Sequence, residues 1–238
     1  MSEFERFSRL WTRLGAKGDP RQVFDELEDS YSESHRYYHT MDHVTHCINE
    51  LERIAADPES LADEEEVRAF LQNNPLNILE FVRGVVDEAE FSLYGHDKEY
   101  RISRSRKIKD NELRSATWAK QTALNAQLSV YFANNVYGNI MDTEHDGTPK
   151  RLAAKLTVDA DLMILGKPRE VFILYEENIR KEWHFVPQEL FNTTRAGVLE
   201  KFLKKAEKSH LYTTKRFRTL YEEQAKENLA WSIRHLRA

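Results

Sequence analysis

Apolar positions along this chain recur at helical spacing almost everywhere. Phe4, Phe7, Leu10, Trp11 and Leu14 form one stripe, and Phe24, Leu27 and Tyr31 form a second beyond the break at Gly15, Gly18 and Pro20. Val44, Cys47, Ile48, Leu51 and Ile54 predict a third helix starting near Thr40 or Met41, with Thr40 as its N-cap. The acidic stretch 56–75, interrupted by Pro58 and Pro75, predicts a loop with a short helix over Glu65–Leu71. Leu76 to Leu93 is apolar enough for a buried helix. Asp110 or Asn111 then caps a long helix expected to run to about Tyr131. After Gly147 and Pro149, helices are expected over Arg151–Leu165, Arg169–Trp183, Pro187–Lys205 and Thr214–Leu236, with Gly166-Lys167-Pro168 as a stop and restart.

Composition supports this pattern. The chain has 238 residues but only 8 Gly and 6 Pro, so turns are few and elements long. The expected architecture is all-α: one helical domain over 1–238, with a core at about 31–165 and C-terminal helices 168–236 packed on it. A net charge of −5 gives no global attraction to nucleic acid. Cys47 is the only cysteine, so no intramolecular disulfide forms. The N-terminus lacks the basic and apolar regions of a signal peptide, and no uncharged apolar run approaches the ~20 residues of a membrane span. A cytoplasmic protein without membrane partners is expected.

Imidazoles and carboxylates carry the candidate chemistry. His39 and His43 share a face if their helix is continuous, and two neutral imidazoles on one face can ligate a transition metal. Surface histidines at a helix start would show the same spacing. His96-Asp97 falls where the apolar helix ends; neighbours on a helix point about 100° apart, so they serve one ion only at such an end. Asp159 and Asp161 lie inside the apolar stretch Leu156–Leu165, where a carboxylate needs a metal, a salt bridge or a cap.

In this order, on helices, the set resembles the HD superfamily of metal-dependent phosphohydrolases, in particular a branch of small predicted members. The likeness runs from about Tyr31 to Leu229. It includes Arg36-Tyr37-Tyr38-His39-Thr40-Met41-Asp42-His43, His96-Asp97, Asp110-Asn111-Glu112-Leu113-Arg114-Ser115-Ala116 and Thr143-Glu144-His145. It continues through Asp159-Ala160-Asp161-Leu162, Ile179-Arg180-Lys181-Glu182, Arg195, Leu211-Tyr212-Thr213 and Ala225-Lys226-Glu227-Asn228-Leu229. Two positions depart from the branch: Gly95 stands where an aromatic precedes His-Asp, and Asp146 where a second histidine follows His145.

The resemblance implies a helical bundle around a site for one or two divalent ions (Mn, Mg, Zn, Fe, Co or Ni). It implies His39, His96, Asp97 and Asp161 as ligands, with His43 and Asp159 as the alternatives, and Asp97 able to bridge two ions. His145 is a candidate for a second ion or for the substrate phosphate. Such an ion would activate water and polarise a phosphoryl oxygen. The basic connector from Lys98 to Lys109 suits phosphate, with Lys98 and Arg101 nearest the site and Arg36 a further candidate. Asp97, Lys98 and His145 are thus the expected catalytic residues, and Arg36, Lys98 and Arg101 the expected substrate contacts. The expected substrate is a nucleotide or another small phosphorylated molecule, with nucleic acid disfavoured and self-association allowed. Two other readings remain: a module that binds a phosphorylated ligand or a protein partner without turnover, and a di-iron oxygenase. The latter generally needs two further histidines between His-Asp and the last Asp, where only His145 occurs.

Overall fold

A computed structural model describes residues 1–73, 78–101, 110–145 and 147–238. Among them are eleven α-helices and no strand: α1 Glu3–Arg13, α2 Pro20–Tyr31, α3 Met41–Ala56, α4 Glu65–Asn73, α5 Ile78–Gly95, α6 Asn111–Asn125, α7 Val130–Met141, α8 Leu152–Leu162, α9 Arg169–Glu182, α10 Gln188–Lys208 and α11 Lys215–Arg237. Short 3-10 turns cover Pro58–Leu61, Asp142–Glu144 and Met163–Gly166. The all-α expectation therefore holds. None of the described helices is long and apolar enough to cross a membrane.

Local chemistry sets the helix starts. Ser2 and Glu5 form a reciprocal capping box at α1, and Asp19 caps α2 with Pro20 at its first position. Thr40 precedes α3 as expected, but its side chain makes no capping bond. The long helix expected to reach Tyr131 is instead two. Gln127 takes a left-handed φ of 58°, and Ser129 caps a new helix by accepting from the Phe132 N–H. The apolar spacing continues through this turn, which hid the reversal from a periodicity argument.

α5 is the central helix, packed on α3, α7 and α8. Its second half is almost wholly buried, including Asp87, Glu88 and Glu90. Arg13 reaches from α1 to bond Asp87 and Glu90, and Arg151 reaches from α8's start to Glu88. One cluster of buried apolar side chains extends from Phe7 to Ile233. Two glycines permit close approaches. A Cβ on Gly95 would stand 3.0 Å from the Ala119 Cβ of α6, and one on Gly166 only 2.5 Å from the Tyr221 carbonyl oxygen of α11. Gly95 thus departs from the aromatic of the resembled branch for a packing reason: α6 lies against the end of α5.

Candidate metal centre

Three helix ends and one loop meet beside the C-terminus of α5. The first turn of α3 brings His43, the residues just past α5 bring His96 and Asp97, the last turn of α8 brings Asp161, and the residue after the 142–144 turn is His145. His43 Nε2 stands 3.3 Å from His96 Nε2, 3.1 Å from Asp161 Oδ1 and 3.9 Å from Asp97 Oδ2. His96 Nε2 is 3.0 Å from Asp97 Oδ2 and 3.5 Å from Asp161 Oδ1. Atoms held about 2.0–2.2 Å from one ion stand about 3.0–3.5 Å from each other in tetrahedral or octahedral arrangements. Most of the observed separations fall in that interval. His43, His96 and Asp97 form a buried or half-buried group that could hold a metal ion, and Asp161 lies beside it, 3.1 Å from His43.

The donor chemistry fits a cation. The His96 ring nitrogen Nδ1 lies 2.7 Å from the Leu93 carbonyl, which can only accept, so Nδ1 carries a proton and a neutral ring turns the Nε2 lone pair inward. That lone pair faces two carboxylates. Asp97 Oδ2 is buried and faces His96 Nε2 at 3.0 Å without hydrogen-bond geometry. With neutral imidazoles, two buried carboxylates leave the cluster short of positive charge. A proton on His96 supplies one charge. A divalent ion supplies two and also engages the lone pairs. Burial alone would raise both carboxyls, but the His96 and His39 imidazoles hold Asp97 well below the carboxylate range. Bonds from His145, His43 and His96 do the same for Asp161. Burial lowers His96, yet Asp97 and Asp161 outweigh it and hold the ring well above the usual imidazole value.

His39, expected first among the ligands, is not in this group. It precedes α3, and its Nδ1 lies 2.7 Å from Glu182 Oε2 at the end of α9. Glu182 Oε1 accepts the backbone N–H groups of Tyr37, Tyr38 and His39 at 2.9, 2.8 and 3.0 Å, and Tyr100 Oη donates to Oε2. The carboxylate thus winds the 37–39 segment around itself and fixes the His39 ring, which stacks on Tyr100 at 4.0 Å. The alternative, His43, joins His96 and Asp97 because it lies one helical turn further on, inside α3. His39 remains adjacent, its ring centroid 6.2 Å from that of His43. In the sequence Glu182 is marked only by its place in the resembling tail.

Asp161 rather than Asp159 enters the cluster. Asp159 faces the start of α11 and accepts from the backbone and hydroxyl groups of both Thr213 and Thr214 at 2.7–3.0 Å. His145 places Nε2 3.1 Å from Asp161 Oδ2 and adopts a left-handed φ of 59°, a costly conformation for a side-chain-bearing residue. Its buried Nδ1 has no partner among the described residues.

The expected phosphate contacts are corrected in part. Arg36 is buried, and all its nitrogens are engaged: Nε by Glu33, and the two terminal nitrogens by the carbonyls of His39, Asp97, Lys98 and Tyr100 at 2.8–3.4 Å. It ties the 97–100 loop to the 36–39 turn and leaves no donor for a substrate. Lys98 Nζ bonds Glu99 at 3.0 Å and lies over the Trp118 ring; Arg101 also turns to Glu99, at 3.5 Å. The remaining cations of the connector, Arg104 to Lys109, and Asp146 lie outside the described residues.

A cavity of about 340 Å³ opens directly on His43 and Asp161, between α3, the 163–166 turn and α9. Comparison with protein-family models, with curated proteins and with solved structures gives no match for this chain.

Proposed function

We propose that the protein is a metal-dependent phosphohydrolase of the HD type, acting on a nucleotide or another small phosphorylated molecule. The observation that carries this is the convergence of His43, His96 and Asp97 at ligand spacing, with Asp161 beside them. A divalent ion bound there would supply a Lewis acid for a phosphoryl oxygen and lower the pKa of water.

The chain's own groups do the rest. His96 is oriented by Leu93 and His43 by its place in α3. His145, with Nδ1 free of partners, contacts the phosphoryl group. The His39–Glu182 pair is the proton donor to the leaving oxygen. Burial lowers the His39 pKa, but Asp97 and Glu182 outweigh it and raise the ring above its ordinary value, which favours the protonated form a general acid needs.

The test is metal analysis of the purified protein, followed by phosphate release from a panel of nucleotides and sugar phosphates under Mn, Mg, Co or Ni. Bound metal and a turnover abolished by Asp97→Ala are expected. A preparation that takes up no divalent ion and releases no phosphate would overturn the reading. A second reading, a module that binds a phosphorylated ligand without turnover, draws support from the engagement of Arg36, Lys98 and Arg101 by protein groups. Thermal stabilisation by a phosphorylated ligand without product would select it.

A further inference from the structure

The cavity beside His43 and Asp161 has a chemistry of its own. Met163, Ile164, Val171 and Leu174 supply apolar wall, and Tyr37, Tyr38 and Tyr175 supply rings. Tyr37, Val171 and Leu174 are about half exposed, so apolar surface continues out to the rim. Lys167 is the one lysine or arginine among the lining residues described, and its Nζ already reaches Tyr221 Oη at 3.3 Å. Asp42 at the same rim offsets it. A second independent observation concerns Tyr38. Its ring packs 4.6 Å from His43 and 4.5 Å from Tyr175, and its buried hydroxyl has no hydrogen-bond partner among the described residues. Tyr38 therefore contributes ring surface to the cavity wall.

We propose that this cavity receives the organic part of the substrate, and that the substrate is a monophosphate ester of an apolar, ring-bearing group. The ring lies against Leu174, Val171 and Met163. A volume of about 340 Å³ accommodates one such molecule, not a dinucleotide. One lysine offset by Asp42 gives no cationic surface for a di- or triphosphate chain. This rests on the phosphohydrolase reading only for the assignment of the phosphate end to the metal centre.

The test is calorimetric binding of 1-naphthyl phosphate, glycerol 3-phosphate and ATP to the Mn-loaded full-length protein, with phosphate release followed separately. Naphthyl phosphate should bind at least about tenfold more tightly than either polar ligand, as expected for burying a ring against aliphatic side chains. Leu174→Ala, at a half-exposed position, should reduce that preference while leaving glycerol 3-phosphate within about twofold. Equal binding of the three ligands, no binding of any, or a variant that changes all three alike would overturn the proposal. A retained preference with no phosphate released would leave the cavity's ligand class standing and sink the phosphohydrolase reading instead.

Discussion

Asp159 and Asp161 are two residues apart in one helix, both sheltered from solvent, yet they serve different ends. Asp159 is compensated by four fixed donors from Thr213 and Thr214, groups that hold their protons at any ordinary pH. Asp161 is compensated by His43 and His145, with His96 nearby, groups that can give up protons and offer lone pairs. The first arrangement locks α8 to the start of α11. The second can exchange its protons for a cation. The same contrast separates Glu182, wrapped by backbone N–H groups, from Asp97, which faces the imidazoles of His96 and His43. Burial of a carboxylate does not mark a functional site; the kind of donor facing it does.

The sharpest way to break this contrast is to truncate each aspartate. Asp159→Ala strands four donors and should cost about 3 kcal/mol or more in urea unfolding, with the metal stoichiometry of the folded fraction unchanged. Asp161→Ala should do the reverse: metal affinity falls by about 100-fold or more, and the metal-free protein loses less stability than Asp159→Ala does. Equal stability losses with metal retained in both would remove the distinction.

Glu182 gives a comparable effect through pH. Burial raises its carboxyl, but His39 and the backbone N–H groups outweigh it and bring the pKa down to about 2. A depressed acid stabilises the fold above its unfolded value, about 4.3, and the contribution is lost as pH falls toward 2. The expected loss is about 3 kcal/mol across that window, read as the difference in pH slope between the wild type and Glu182→Gln. Coincident slopes would deny Glu182 this role.

The smallest effect distinguishes two left-handed residues, Gln127 in the α6–α7 turn and His145 at the cluster. Gln127→Gly relieves strain with no ligand to lose, and should raise stability by about 0.5 kcal/mol with metal binding unchanged. A lower melting temperature would show that the Gln127 side chain contributes more than its backbone costs.

Much of the helix pattern was legible in the sequence because the apolar stripes and the Gly/Pro breaks are strong. The exception was the α6–α7 reversal, which depends on one left-handed glutamine that no propensity marks. At the site, the residue types and their order were legible, and so was the delivery of His96-Asp97 at the end of α5. Choosing between His39 and His43 was not, and Asp161 was preferred to Asp159 through the resemblance alone. In each pair the two residues stand within about a turn of one another, and the choice is made by distant partners, Glu182 for His39 and Thr213-Thr214 for Asp159. Arg36 was misassigned for the same reason: the carbonyls that occupy it lie in a loop some 60 residues away.

The most direct test is metal content, by plasma mass spectrometry, of the wild type, His39→Ala and His43→Ala after equilibration with Mn or Zn. The geometry predicts that His39→Ala retains the wild-type stoichiometry and that His43→Ala loses the ion. Retention by His43→Ala together with loss by His39→Ala would contradict the assignment of the centre to His43, His96, Asp97 and Asp161.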